Sequence, residues 1–188
     1  MNKISSNIFI HPTAIIEKNV TIGPGSKIWM NVQIRNNASI GDNCIISKDV
    51  FIDHSVQIGS GCKIQNSVSI YNGVHIGDDV FVGPHTSFTN DKVPRAFNVN
   101  WKITPTFISK GVSLGANSTI VCGVTLGEYC MVAAGSVVTK DIPSYALVMG
   151  NPAKVVAYIC KCGTRLNEQN KCSACSRLFD INLTEPTK

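Results

Sequence analysis

Isoleucine recurs at every sixth position through the first half of the chain, and this spacing constrains the fold more than any other feature. Neither the helical period of 3.6 nor the strand period of two produces it. A coil of three short strands does, because one turn then takes eighteen residues and residues eighteen apart stack at the strand spacing of about 4.8 Å. The sequence therefore predicts an all-β solenoid with interior isoleucine ladders, whose members are Ile10, Ile16, Ile22, Ile28, Ile34, Ile40, Ile46, Ile52, Ile58, Ile64, Ile70 and Ile76, then Val82 and Phe88.

Glycine follows isoleucine at the same point of four successive turns, at Gly23, Gly41, Gly59 and Gly77. We expect corners of the coil there, with glycine permitting a positive φ. Each buried isoleucine contributes roughly 1.5–3 kcal/mol. The ladder therefore predicts a stable solenoid without helices.

The six-residue pattern stops after Phe88 and restarts at Ile108. Residues 89–106 are thus predicted to form an extruded loop, and a loop of this length in a regular stack is usually functional. The pattern ends near Pro143. We expect a solenoid domain at residues 1–157 and a small cysteine-rich tail at residues 158–188.

The charge balance is mildly basic, with 17 Lys and Arg against 12 Asp and Glu in 188 residues. Without a block of like charges, it favours an anionic small molecule over nucleic acid as the partner. The first twelve residues lack the apolar core of a signal peptide, and no stretch reaches the roughly 20 apolar residues of a membrane span. We therefore expect a cytoplasmic chain with no membrane partner and reduced thiols.

The repeats resemble the left-handed parallel β-helix of the hexapeptide-repeat acyltransferase superfamily, and the handedness rests on that resemblance. Three segments are more specific: KIQNSVSIY at 63–71, VGPHTSFTND at 82–91 with Pro94-Arg95 after it, and LGANSTIVCG at 114–123. They resemble the N-acetyltransferases of nucleotide-linked (UDP or dTDP) 3-amino sugars. The resemblance implies a homotrimer that uses acetyl-CoA at sites between subunits.

Polar residues form two neighbouring columns in the eighteen-residue grid, and Asn90 lies on top of the second. The resemblance implies that Asn90 hydrogen-bonds the sugar amine, because an amide carbonyl accepts from an amine without holding it protonated. Arg95 is expected to face a diphosphate or a sugar carboxylate. The alternatives are an asparagine ladder that satisfies corner backbone and a solvated loop arginine. The predicted acceptor-binding residues are Arg35, Gln65, Asn66, Tyr71, Asp91 and Arg95.

His85 is the candidate general base or proton relay. Asp49 and Ser67 stack with it, but serine lies between the acid and the histidine, which is the wrong order for a hydrolase triad. A base is not required either, because a sugar amine titrates nearer the α-amino value of about 8 than lysine's value. A hydrogen-bonded surface histidine is the other interpretation.

Small residues of the restarted repeats predict a groove for the coenzyme. Gly115 and Ala116 lie eighteen residues before Ala133 and Ala134, so backbone amides stay open to an extended pantetheine arm. Tight coil packing is the alternative reason for these residues. By resemblance, Lys140 and Lys154 are expected to meet the phosphates and Pro152 to pack on adenine.

The cysteines divide into two groups. Cys44, Cys62 and Cys130 occupy the small interior position of the repeat, where cysteine behaves as a buried hydrophobic residue. The tail has Cys160, Cys162, Cys172 and Cys175 as Cys-x-Cys and Cys-x-x-Cys pairs, which predict a structural zinc site or else reduced thiols.

Together these features predict acetyl transfer from acetyl-CoA to the amine of a nucleotide-linked amino sugar. Two alternatives stay open. One is O-acetyl transfer to a small sugar or an antibiotic, which would make His85 indispensable because an alcohol needs a base more than an amine does. The other is a structural or interaction solenoid with a zinc-binding tail.

Overall fold

A computed structural model describes residues 2–179, which form a parallel β-solenoid of about eight turns with three flat sides. The described residues contain no α-helix, and none of their elements is a helix able to cross a membrane. The prediction of an all-β, left-handed β-helix is confirmed.

Each side of the solenoid is one parallel sheet. The first sheet contains β1 (Lys3–Ile4), β4 (Thr21–Ile22), β7 (Ser39–Ile40), β10 (Gln57–Ile58), β13 (Val74–Ile76), β16 (Thr106–Ile108) and β19 (Thr125–Leu126). The second contains β2 (Phe9–Ile10), β5 (Lys27–Ile28), β8 (Ile45–Ile46), β11 (Lys63–Ile64), β14 (Phe81–Val82), β17 (Ser113–Leu114), β20 (Met131–Val132), β22 (Ala146–Gly150) and β23 (Ala153–Tyr158). The third contains β3 (Ile15–Ile16), β6 (Gln33–Ile34), β9 (Phe51–Ile52), β12 (Ser69–Ile70), β15 (Ser87–Phe88), β18 (Thr119–Ile120) and β21 (Val137–Val138).

The predicted eighteen-residue register is present in the strand pairing. Ile22 pairs with Ile40 in the first sheet, and Ile34 pairs with Ile52 in the third. The ladder side chains from Ile22 to Ile76 are at most 4% exposed, so they fill the interior of the prism. The strand pairs that span the loop depart from this register, as Val74 with Thr106 does, and so does Met131 with Leu147. The last strand differs in direction as well, because β23 runs antiparallel to β22.

Each corner is a tight turn with one residue in the left-handed region. This residue recurs every six positions, and it is usually asparagine, aspartate or glycine, as at Asn37, Asn43 and Gly61. These are the residues that tolerate a positive φ most readily. The same requirement aligns Asp49, Ser67 and His85, whose φ values are 58–60°, so their triad-like column reflects turn geometry.

The corner glycines that follow isoleucine serve a different purpose from the one expected. Gly23, Gly41, Gly59 and Gly77 have no positive φ, which falls two residues later. A Cβ on Gly41 would instead lie 2.6 Å from the Ser60 nitrogen and 2.7 Å from the Gly59 carbonyl carbon of the next turn. Glycine is therefore needed there because successive turns approach too closely for a side chain.

The small interior position accepts thiols and hydroxyls because each finds a backbone carbonyl. Ser26 Oγ donates to the Gly41 carbonyl at 2.9 Å, and Cys44 Sγ donates to the Gly59 carbonyl at 3.1 Å. Burial raises the pKa of Cys130 to about 12. These contacts fit the structural role assigned to the interior cysteines.

The loop leaves the third side of the prism after Phe88 and returns at Thr106. Thr106 already pairs with Val74 in the first sheet, so the extruded segment is residues 89–105. Its two ends are tied together because the Thr104 amide donates to the Asn90 carbonyl at 2.9 Å. Of the predicted tail at residues 158–188, residues 180–188 lie outside the described residues.

We predict that Gly41→Ala lowers the free energy of unfolding by about 1–3 kcal/mol, because the new Cβ forces two turns apart. Urea denaturation measures the change. The control is Gly135→Asn, since nothing lies within 4 Å of a Cβ at Gly135 and asparagine fits its positive φ. We expect the control to change stability by less than about 0.5 kcal/mol. Equal losses in both variants would contradict the close-approach explanation.

Candidate active site

The predicted site residues lie on two corners of the prism. The loop corner follows the third sheet and carries the extruded loop; it holds Arg35, Tyr71, Asn90, Asp91, Arg95 and Lys140. The alanine corner follows the second sheet; it holds Gln65, Asn66, His85, Gly115, Ala116, Ala133 and Ala134. Within one chain, the two sets are therefore separated by the width of the third sheet.

A buried carboxylate organises the loop corner. Asp53 is only 8% exposed, and its Oδ1 accepts from Arg35 at 3.0 Å and from the His54 amide at 2.7 Å. The His54 ring Nδ1 lies 2.9 Å from the same oxygen, while Asp53 Oδ2 accepts from the Asn72 amide at 3.2 Å. The network extends to the next turn of the solenoid, because His54 Nε2 lies 2.8 Å from Asn72 Nδ2.

These hydrogen bonds decide the ionisation of Asp53. Burial by itself raises the pKa of this carboxyl, but the hydrogen bonds from His54 and from the His54 and Asn72 backbone outweigh burial and hold the pKa below its usual value. Asp53 is therefore ionised near neutral pH and acts as the anchor of the corner.

Asn90 stands at the top of this network with its carbonyl oxygen available. Its side-chain Nδ2 donates to the Asn72 carbonyl at 3.4 Å, whereas its Oδ1 accepts no hydrogen bond from residues 2–179. The Asn90 backbone is held by Thr104 at the far end of the loop. The amide is thus oriented by the protein, and one acceptor is left open.

The loop and its root line an open, shallow cavity of about 470 Å³. The predicted residues Asn90, Asp91 and Arg95 come together here, and Trp101 and Asn98 line the same space. The Arg95 guanidinium has no carboxylate partner within the described residues; its Nη1 donates only to the Pro94 carbonyl at 2.9 Å. Sequence analysis missed Trp101, although an aromatic residue in a loop beside Asn90 is a signal for a ring-stacking surface.

Two other predicted acceptor residues have structural partners. Arg35 is shared between Asp53 and Glu17, with Nε 3.6 Å from the Glu17 carboxylate. Tyr71 is 40% exposed and packs on Phe51 with 5.9 Å between ring centroids. His54 lies eighteen residues before Asn72 in the second polar column, and its ring links the Asp53 carboxylate to the Asn72 side chain.

A second cavity of about 480 Å³ lies further along the loop corner, where the solenoid ends. The predicted coenzyme residues Lys140, Pro152 and Lys154 line it together. Neither ammonium group has a carboxylate partner among residues 2–179. The cavity therefore presents two lysines beside a proline ring, together with Asp141, whose Oδ1 accepts from the Thr125 amide at 2.7 Å.

The alanine corner presents free backbone donors. The amides of Ala116 and Ala134 donate to no atom of the described residues. At the loop corner the equivalent amides of Asn36, Asn72 and Cys122 are capped by side chains, that of Cys122 by the Thr89 hydroxyl. A Cβ on Gly83 would lie 2.6 Å from the Ala116 nitrogen, and one on Gly115 would contact the Ala134 nitrogen, so glycine keeps both amides uncovered.

The remaining predicted residues of the alanine corner lie on the two turns before Ala116. His85 is exposed and belongs to the turn that precedes Ala116 and Asn117. Asn66 lines a separate cavity of about 240 Å³ with Trp29 and Met30, and Gln65 precedes it in the same turn. None of these side chains joins the cavity that holds Asn90.

A parallel β-solenoid with a polar loop pocket on one corner and uncovered amides on another defines the class of hexapeptide-repeat transferases. The family described as Bacterial transferase hexapeptide (six repeats) matches residues 19–54, 37–70, 55–90 and 105–140. The chain belongs to this family, as the sequence predicts.

Individual relatives narrow the comparison. The dTDP-3-amino-3,6-dideoxy-alpha-D-galactopyranose 3-N-acetyltransferase of Aneurinibacillus thermoaerophilus is 52% identical over 166 residues, 88% of this chain and 86% of the relative. A hexapeptide-repeat acetyltransferase of Vibrio cholerae, solved with acetyl-CoA, is 26% identical with a TM-score of 0.53, over 66% of this chain and 72% of that one. The UDP-N-acetylglucosamine acyltransferase of Campylobacter jejuni shares the fold, at 19% identity and a TM-score of 0.59, over 84% and 73% of the two chains.

We predict that Asp53→Asn lowers the free energy of unfolding at pH 7 by about 1–3 kcal/mol, because buried donors lose their acceptor. Since the folded-state pKa lies below the unfolded value of about 3.9, ionised Asp53 stabilises the fold above that value. This stabilisation is lost as the pH falls through the folded-state pKa. Urea midpoints measured between pH 7 and pH 3 should therefore fall less in the variant than in the wild type.

The control for this experiment is Asp49→Asn on the alanine corner. Asp49 is exposed, and asparagine tolerates its positive φ of 60°. We expect a change below about 0.5 kcal/mol. Identical pH profiles for wild type and Asp53→Asn would show that Asp53 is not the anchor of the corner.

Proposed function

We propose that the chain transfers acetyl from acetyl-CoA to the 3-amino group of a dTDP-linked 3-amino-3,6-dideoxy sugar. The sequence-based prediction of an acetyl-CoA-dependent amino-sugar N-acetyltransferase is confirmed by the 52% identical relative. The structural observation that carries the proposal is the loop cavity, which Asn90, Arg95 and Trp101 line together and in which the Asn90 side-chain oxygen has no hydrogen-bond donor among residues 2–179.

The cavity provides one contact for each part of such an acceptor. The unpaired Arg95 guanidinium suits a diphosphate, which it can bind in a bidentate manner. Trp101 is 47% exposed and offers a face for a sugar or a nucleobase. Asn90 Oδ1 accepts an N–H from the sugar amine and directs the nitrogen lone pair away from itself.

The chemistry then needs little beyond positioning. A sugar amine with a pKa near the α-amino value of about 8 is partly neutral at pH 7. Its nitrogen attacks the thioester carbon, the C–N bond forms, and the C–S bond breaks as the tetrahedral intermediate collapses. The proton leaves the nitrogen for the departing thiolate or, by a relay, for His85. Backbone amides stabilise the oxyanion while it exists.

Acetyl-CoA is expected to occupy the surface between the two corners of neighbouring chains. Lys140 and Lys154 supply charge for its phosphates, and Pro152 supplies a flat apolar contact for adenine. The amides of Ala116 and Ala134 supply donors for the thioester oxygen. Gly115 and Ala133, with no bulk beyond a methyl group, allow the pantetheine arm to approach the backbone.

This arrangement requires more than one chain, and we propose a homotrimer. Asn90 and the free amides lie on different corners, so one chain cannot place both against the same thioester. The loop also carries Phe97 and Val99, which are 83% and 89% exposed. Apolar side chains this exposed at a loop tip favour contact with a second copy of the chain.

We also place the chain in the cytoplasm. None of the eight cysteines forms a disulfide in the structure. Thiols persist in a reducing compartment, whereas paired cysteines are typical of oxidising ones.

We predict that the purified chain releases free thiol from acetyl-CoA when a dTDP-linked 3-amino-3,6-dideoxy sugar is present. Asn90→Ala should lower kcat/KM by about 10²–10³-fold, the usual effect of losing one positioned hydrogen-bonding group, with the oligomer intact by size-exclusion chromatography. The control Asn100→Ala removes an exposed loop asparagine outside the cavity and should keep wild-type activity. No turnover on a panel of dTDP- and UDP-linked amino sugars would overturn the proposed function.

We predict that Ala116→Pro, which removes one free amide, lowers kcat by about 10²-fold. Proline fits this turn position, because Pro84 occupies it one turn earlier. The control is Lys110→Pro, which removes a backbone amide from the third corner, after the first sheet, where no predicted acetyl-transfer residue lies. This variant should stay active.

A mixing experiment tests whether the site spans two chains. If it does, refolding the Asn90→Ala and Ala116→Pro variants together restores part of the activity, because some interfaces of the mixed oligomers then combine a wild-type Asn90 with a wild-type Ala116. No recovery in verified mixed oligomers would exclude a shared site.

A further inference from the structure

The described part of the tail folds into a small ribbon, defined here as residues 159–179. Its segments pair antiparallel through Ile159 with Arg165, Leu166 with Cys172, and Lys171 with Leu178. Two tight turns carry the cysteines. In the first, the Gly163 amide donates to the Cys160 carbonyl at 2.8 Å; in the second, the Ser176 amide donates to the Cys172 carbonyl at 2.9 Å.

The ribbon has almost no apolar interior. Among residues 159–179 only Ile159, Cys160 and Cys172 are buried, Leu166 is partly buried against the solenoid core, and Leu178 is 71% exposed. A unit this small does not fold on hydrophobic burial alone, and it usually needs a metal ion or a covalent cross-link. Two of the three buried residues are cysteines, so the thiols are the groups that can supply the missing stability.

The four thiols converge on one point. Their Sγ atoms all lie within 4.8 Å of one another, with 3.5 Å between Cys160 and Cys175 and 3.6 Å between Cys162 and Cys172. A tetrahedral zinc ion with Zn–S bonds of about 2.3 Å places its sulfurs about 3.8 Å apart. A disulfide needs about 2.05 Å. The separations of 3.5 and 3.6 Å are close to the edge of a metal tetrahedron and far longer than an S–S bond, and no pair of the four sulfurs is more than 4.8 Å apart.

We propose that Cys160, Cys162, Cys172 and Cys175 bind one zinc ion as a tetrathiolate, and that this ion fixes the ribbon against the last turns of the solenoid. Four protein ligands leave no coordination position for a substrate, so the ion is structural. It compensates for the missing apolar core by tying the two cysteine turns together.

The surface that the ribbon covers is defined by two stacked tyrosines. Tyr129 and Tyr145 lie 5.6 Å apart at their ring centroids, and Phe179 packs edge-on against Tyr145 at 5.1 Å. Lys161, between the first two cysteines, lies 4.4 Å above the Tyr129 ring. The Ile159 amide donates to the Tyr145 carbonyl at 2.8 Å. The zinc ion would therefore stabilise the ribbon where it covers Tyr129 and Tyr145, on a different corner from the predicted acetyl-transfer residues.

Metal analysis and mass measurement of the full chain test the proposal. We expect one zinc per chain by elemental analysis after purification under reducing conditions. In native mass spectrometry, we expect a mass higher by one zinc ion, less the protons that it displaces. Replacement by Co²⁺ should give the visible absorption of a tetrahedral tetrathiolate. A metal-free chain lighter by four hydrogens would indicate two disulfides, and a metal-free reduced chain would indicate free thiols; either result would overturn the proposal.

Single-cysteine variants locate the metal. Cys162→Ser and Cys175→Ser change exposed ligands, and we expect each to lose zinc and to become sensitive to protease within residues 159–179. The control is Cys44→Ser, because Ser26 already occupies the same position one turn earlier. It should keep its zinc. Zinc retained at full stoichiometry in both tail variants would also overturn the assignment. Acetyl transfer is measured separately, so failure here leaves the proposed function intact.

Discussion

The structure depends on one constraint: the backbone must turn through a third of a circle every six residues while each turn lies directly on the previous one. Burial of the isoleucine ladder stabilises this register, because a slip of one residue would expose every interior side chain. This register restricts the residues at the corners. Glycine is needed where turns approach closely, as at Gly41, and residues that accept a positive φ are needed two positions later, as at Asn43. The candidate site residues lie on corners whose backbone conformation is set by this register.

The two site corners differ in whether the backbone amide two residues after the strand has a hydrogen-bond acceptor. At the loop corner, side chains cap it: Asp53 receives the Asn72 amide, and Thr89 receives that of Cys122. At the alanine corner, no side chain reaches the amides of Ala116 and Ala134. The first corner is therefore rigid and carries oriented side chains, while the second carries open donors. Acyl transfer to an amine needs both properties, an oriented nucleophile and a place for the oxyanion.

Periodicity made most of the fold predictable, because a strict repeat of six transfers directly to strand register. It also predicts Asn90 above Asn72 and Ala134 above Ala116, because the members of each pair are eighteen residues apart. It did not reveal why Gly41 is glycine, since close approach and positive φ look alike in sequence. Nor did it show that His54 joins Asp53 to Asn72, or that Trp101 lines the loop cavity. Both depend on side-chain direction and on loop conformation, which the repeat does not encode.

The separation of the site residues follows from the same geometry. On a three-sided prism, a side chain on one corner and an amide on the next point into different solvent regions, however well each is ordered. A second prism brought alongside removes that separation, because its alanine corner can face the first prism's loop corner. In the proposed homotrimer, threefold closure would repeat this contact without leaving an unmatched face. Phe97 and Val99 of the loop are exposed apolar side chains that such a contact could bury.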